Sequence, residues 1–195
     1  PVLHSFQWAV NEYKIDMTLI DQFLKSMEQD LKDIEYSNDA YQEYIVGSAE
    51  VVGLMCLKVF VNGDQKLYEE LEESARRLGA AFQKVNFLRD VKADYEDLGR
   101  TYFPGVDLTS FSAQEKSKIE QDIQNDFFYA LEGIKKLPSS SRLGVFVAYR
   151  YYLSLFKKIK NIPSERLMQE RIRVNNYKKL YITFKSAFQN QFNWI

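Results

Sequence analysis

The chain has 195 residues, 46% hydrophobic and 27% charged, with a formal net charge of −1; this suffices for one domain with a real core and excludes the basic excess of a nucleic-acid binder. A lone cysteine, Cys56, excludes a disulfide framework and a cysteine metal cage. No apolar run approaches the roughly 18 residues that span a bilayer, and no signal-peptide pattern opens the chain, so a reducing, cytoplasmic compartment is expected.

Apolar spacing predicts helices almost throughout. Ile20, Phe23, Leu24, Met27 and Leu31 fall on one helix face. Ser37-Asn38-Asp39 breaks the chain and offers N-cap residues for a helix over about 40–61. Asn62-Gly63-Asp64 reads as a turn, and a long helix follows from 65 to about 94 or a little beyond. Leu98-Gly99-Arg100 and Tyr102-Phe103-Pro104-Gly105 read as a loop. A helix over 112–136 opens on a capping box, Ser112-Ala113-Gln114-Glu115. Residues 137–141 break it, an aromatic-rich helix covers 143–161, Ile162-Pro163 ends that, and a last helix covers about 177–188. With no strand alternation, repeat or linker, the expectation is one all-α domain over 1–195.

The long helix carries the polar signal. At about 100° per residue, Gln83, Asn86, Asp90 and Asp94 lie within an arc of about 80°, with Arg76, Gly79, Ala80 and Phe87 on or beside it. Leu78, Ala81, Val85 and Leu88 lie opposite and read as core. Two carboxylates one turn apart suit a hard cation such as Mg²⁺, which takes one or two carboxylates plus phosphate oxygens. Asn86 adds a neutral oxygen. No basic residue compensates the pair on this face, so the two aspartates repel, a cost a bound cation would offset. Elsewhere bland readings win. His4, the only histidine, lies near the N-terminus and Cys56 reads as a small buried apolar residue. The cluster Phe146, Tyr149, Tyr151, Tyr152 and Phe156 reads as core, and Glu69, Glu70, Glu72 and Glu73 as a solvated face.

The run Gln83-Lys84-Val85-Asn86-Phe87-Leu88-Arg89-Asp90-Val91-Lys92-Ala93-Asp94 resembles the second aspartate-rich motif of the squalene/phytoene synthase family, Q-x-x-N-x-x-R-D-x-x-x-D. Gly99-Arg100-Thr101-Tyr102-Phe103-Pro104 resembles its G-R-x-Y-x-P continuation. Residues 44–55 are similar to the family's Y-x-x-x-V-A-G-x-V-G-x-M helix, and Arg171-Ile172-Arg173-Val174 with Lys178 and Lys179 to its C-terminal basic stretch. The resemblance implies an all-α isoprenoid synthase fold around a central cavity. It further implies head-to-head joining of two prenyl diphosphates through a cyclopropyl intermediate, with Mg²⁺ (or Mn²⁺) assisting diphosphate loss. Geranylgeranyl diphosphate to phytoene is the preferred reaction. A squalene or dehydrosqualene reaction from farnesyl diphosphate, and a non-catalytic helical scaffold, are the alternatives.

By the same resemblance Asp90, Asp94 and Asn86 hold the metal, and Gln83, Asn86, Arg89, Arg100 and Arg173 meet the diphosphate. Tyr44, Tyr102 and Tyr152 line the reaction centre with Asp90 and Asp94, and Ser48, Ala49, Val52, Gly53 and Gly79 shape the prenyl pocket. A lipophilic product makes peripheral membrane association an expectation. Three departures stand out. The family's first motif, D-x-x-x-D, has no match among Asp16, Asp21, Asp30 and Asp33, and is expected upstream of Pro1, so that the 195 residues alone would not ionise prenyl diphosphates. Glu50 stands where the family has glycine, and the stretch from Asp94 to Gly99 is one residue longer than in common phytoene synthases.

Overall fold

A computed structural model describes residues 1–31, 37–98, 102–106, 111–167, 171–192 and 194–195, with only the backbone of 95–98 and 165. The described residues form helices and connections without a strand. The order is α1 (Val2–Tyr13), α2 (Met17–Gln29), α3 (Asn38–Ile45), a π-helical turn (Val46–Glu50), α4 (Val51–Phe60), α5 (Gln65–Leu98), α6 (Ala113–Lys136), α7 (Ser139–Lys160), the one-turn α8 (Ser164–Leu167) and α9 (Asn176–Gln191). None is long and apolar enough to cross a membrane.

Polar side chains start these helices by taking the amide protons that have no partner in the first turn. The Asp16 carboxylate accepts from Thr18 N, Ser37 Oγ from Ala40 N, and Asn175 Oδ1 from Lys178 N. The capping box at α6 forms in both directions, Ser112 Oγ accepting from Glu115 N at 3.2 Å and Glu115 Oε2 from Ser112 N at 2.9 Å.

α5 is the axis of the molecule and packs on α3, the π turn, α4, α6, α7 and α8. Ala81, Val85 and Leu88 are fully buried, as the helix wheel requires. Each larger side chain of this kind contributes about 1.5–3 kcal/mol on burial. Leu78 departs from expectation and faces a cavity rather than closed core. α4 crosses α5 at contact distance: a Cβ on Gly53 would stand 2.6 Å from Ala75 O, and one on Gly79 2.4 Å from Ala49 O. Only glycine permits that approach.

One cluster of buried charge lies between α5 and α6. Lys84 Nζ pairs with Asp122 Oδ2 at 2.5 Å and with the fully buried Asp126 Oδ2 at 2.8 Å, and Arg77 Nη1 reaches Asp126 Oδ1 at 3.1 Å. Burial alone would lower the Lys84 pKa, but the two aspartates carry it above its ordinary value.

Several sequence boundaries shift. The 40–61 helix starts at Asn38 and holds a π turn over Val46–Glu50. The break at 137–141 is shorter, because α7 already begins at Ser139. Leu24 and Leu31, read as part of the α2 face, are exposed at 57% and 85%; Ile20 is buried as expected, together with Leu19 and Ser26. α1 and α8 were not expected, and α1 buries none of its residues.

Candidate active site

The π turn and α5 meet at a polar collar. Ser48 Oγ donates to Tyr44 O at 2.6 Å, within its own helix, and accepts from Gln83 Nε2 at 3.2 Å. A π turn adds a residue to the helical repeat and re-aims the side chains on it; here it carries Ser48 and Ala49 to the α5 crossing. Below the collar opens a cavity of about 390 Å³ walled by α4, α5, α6 and α7. Ser48, Ala49, Val52, Gly53 and Gly79 all line it, with Cys56, Leu78, Phe82, Gly133, Gly144 and others. Its surface is almost wholly apolar. Cys56 is therefore not a core residue; its surface is open to the cavity, whose apolar surroundings desolvate the thiol and push its pKa up from the ordinary value.

Above the collar the same face of α5 turns acidic. Tyr152 Oη donates to Asn86 Oδ1 at 3.3 Å, and the Tyr152 ring stacks on Phe82 at 3.9 Å, so α7 joins the amide to the cavity wall. Asp90 is one turn on. Arg89 grips it through Nη2 at 2.5 Å and through Nε at 3.1 Å to both oxygens. Arg171, from the segment before α9, adds Nε to Oδ1 at 2.7 Å. The expectation of an uncompensated acid face is thus corrected: two guanidiniums neutralise Asp90, one adjacent in sequence and one from 81 residues away. Asp94 is half-buried one turn further along.

The remaining residues divide. Tyr44 and Tyr102 are buried around Phe87, Tyr102 stacked on that ring at 4.1 Å, and Tyr44 donates to Asp30 Oδ1 at 2.9 Å. Arg173 is exposed, and its carbonyl accepts from Lys158 Nζ at 2.8 Å; Arg171, two residues before it, is the guanidinium at Asp90. Arg100, Gly99 and Thr101 lie outside the described residues. Glu50 is half-buried, 3.6 Å from Arg76, with its pKa raised mainly by burial. The glutamates 69, 70, 72 and 73 are engaged by Gln65, Lys136, Arg76 and Arg77.

Among the described residues no three His, Cys, Asp or Glu side chains converge as a metal cluster. The donor set fits Mg²⁺ nonetheless: Asp90 and Asp94 share a helix face with Asn86, and this cation completes its octahedron with waters and phosphate oxygens. A cation there would have to share Asp90 with two guanidiniums, which themselves suit phosphate oxygens.

The fold and the site together define an all-α protein with an apolar cavity beneath an acid-bearing helix face. Residues 1–178 match the family model described as squalene/phytoene synthase, and the chain belongs to that family. It is similar to the 4,4'-diapophytoene synthase of Staphylococcus haemolyticus, 23% identical over 208 residues, covering 97% of this chain and 71% of that protein. It is also similar to the bifunctional lycopene cyclase/phytoene synthase of Phycomyces blakesleeanus, 26% identical over 199 residues, covering 89% of this chain and 32% of that one. A crystal structure of a dehydrosqualene synthase in complex with ligand shares the fold, with a TM-score of 0.70 at 20% identity, over 91% of this chain and 66% of the solved one.

Proposed function

We propose that the protein joins two prenyl diphosphates head to head through a cyclopropyl intermediate, with geranylgeranyl diphosphate condensed to phytoene as the first reading. The observation that carries this is the composite face of α5. Gly79 and Gln83 open on the apolar cavity, while Asn86, Asp90 and Asp94 continue the same face upward. An amphiphile with an anionic head and an apolar tail matches that order.

In this reading Asp90, Asp94 and Asn86 would hold Mg²⁺ against the diphosphate. When bound, the cation neutralises the charge that builds on the leaving oxygens. Arg89 and Arg171 exchange their hold on Asp90 for phosphate oxygens as the head group arrives. Tyr152 keeps the Asn86 amide oriented through its hydrogen bond. The apolar walls exclude water from the allylic cation, and the Phe82–Tyr152 stack presents aromatic faces to it.

A second reading uses farnesyl diphosphate; the similarity of 97% of the chain to a 4,4'-diapophytoene synthase favours it. Mass analysis of products formed with each diphosphate, with and without Mg²⁺, separates the two. Phytoene formed only with Mg²⁺ supports the first, a C30 product the second. Magnesium-independent product contradicts both; the assay needs a chain that also carries a D-x-x-x-D segment, since the 195 residues alone are expected to form no product.

Association with a bilayer surface belongs to the same proposal. Tyr177, Leu180, Tyr181, Phe184 and Phe188 lie exposed along one face of α9, with Phe192 and Trp194 just beyond it. Residues 171–195 hold five Lys or Arg and no acid. An aromatic face flanked by lysines suits an anionic lipid interface.

A further inference from the structure

We infer that Gly144 sets the length of apolar tail the cavity accepts, an assignment that rests on the prenyl reading of that cavity. Glycine inside a helix is destabilising relative to alanine, so it needs a reason. The other described glycines have one. Gly63 and Gly105 adopt φ of 76° and 69°, and Gly47, Gly53, Gly79 and Gly133 each have a neighbouring atom within 2.8 Å of where a Cβ would stand.

Gly144 has neither reason. It sits in the body of α7 with an ordinary helical backbone, and a Cβ there would meet nothing within 4 Å. Gly144 is exposed and stands where the cavity opens, lining it together with Val145 and Ala148 from its own helix and Cys56 from α4. A side chain at 144 would therefore grow into the ligand's volume and not into the protein. The missing side chain is room for the far carbons of a tail, since protein interiors otherwise fill such gaps to a packing density of about 0.75. Gly144 is in this sense a specificity-determining position. It shortens or lengthens the accepted chain without touching the acid face of α5.

Cys56, the chain's only cysteine, reports occupancy of the same cavity. The test alkylates it with N-ethylmaleimide while geraniol, farnesol or geranylgeraniol is titrated in; these prenols have 10, 15 and 20 carbons and no diphosphate. Each is expected to slow alkylation of the wild-type chain. Gly144→Phe should raise the half-protecting concentration of geranylgeraniol by about tenfold or more while changing geraniol by less than about twofold, the scale of methylene discrimination in apolar pockets. Gly144→Ala should raise Tm by about 2–4 °C, because the added methyl meets open space. A fall in Tm on Gly144→Ala overturns the assignment. So does a Gly144→Phe effect that is equal across the three prenols or absent, and in that case the prenyl reading of the cavity still stands. If no prenol slows alkylation of the wild-type chain, the prenyl reading itself fails and the role of Gly144 falls with it.

Discussion

Lys84 shows what one residue can and cannot reveal in sequence. It lies inside the Q-x-x-N-x-x-R-D run, yet its partners Asp122 and Asp126 are 38 and 42 residues away. Nothing local announces a pair formed across two helices, whereas the arc of Asn86, Asp90 and Asp94 follows from helix periodicity alone. Arg171 was missed for the same reason, and Cys56 was misread because composition does not tell a cavity wall from a filled core. The buried pair has a measurable consequence. Lys84→Met leaves Asp126, fully buried, with Arg77 as its remaining ion-pair partner among the described residues, and should cost about 3 kcal/mol in urea denaturation, the scale of a broken buried ion pair. Glu73→Ala, at the exposed end of the network, should cost less than about 1 kcal/mol. The pH dependence has a definite sign. The Lys84 pKa is raised above its ordinary 10.5 by folding, so its contribution is fully present below that value and is lost as pH rises through the folded-state value. Stability of the wild type should fall in that alkaline range more steeply than stability of Lys84→Met; parallel curves would refute the assignment.

At the scale of elements, α5 and α6 were legible because their signals are local: an uninterrupted apolar period in one, a capping box in the other. Ser112→Ala should therefore cost about 1 kcal/mol, seen as a lower urea midpoint with an unchanged m-value. The π turn was not legible, since its extra residue changes neither composition nor apolar spacing enough to register over five positions. Its role rests on contact with α5, and Gly79 tests it. Gly79→Ala places a methyl 2.4 Å from Ala49 O, so the crossing must open, at a cost of about 1–3 kcal/mol. The same substitution in a free helix would stabilise it. A Tm raised by Gly79→Ala would show that the π turn and α5 do not approach this closely. α1 escaped sequence reading because Val2, Leu3, Phe6 and Trp8 remain exposed and none of its residues is fully buried, so no buried face marks its period.

At the scale of the molecule, helix order and apolar patterning sufficed for an all-α expectation, and the motif run sufficed for the family. A central cavity was expected from the family resemblance, with Ser48, Ala49, Val52, Gly53 and Gly79 on its wall; the share of the wall that comes from α6 and α7 was not, because those positions carry no motif. Charge is distributed unevenly over the whole: the chain carries −1 overall, but residues 171–195 carry only cations. Phosphatidylserine vesicles should therefore co-sediment the protein, phosphatidylcholine vesicles less, and Phe184→Asp with Phe188→Asp should abolish the difference; unchanged co-sedimentation of the double variant would exclude α9 as the contact. In the proposed function one helix face joins a metal–diphosphate site to an apolar cavity. Its most direct test is equilibrium binding of geranylgeranyl thiolodiphosphate to the chain, with Mg²⁺ and with EDTA. The account predicts Mg²⁺-dependent binding that drops by tenfold or more, about 1.4 kcal/mol, in Asp90→Asn/Asp94→Asn. Equal affinity in EDTA, or in the double variant, would contradict it.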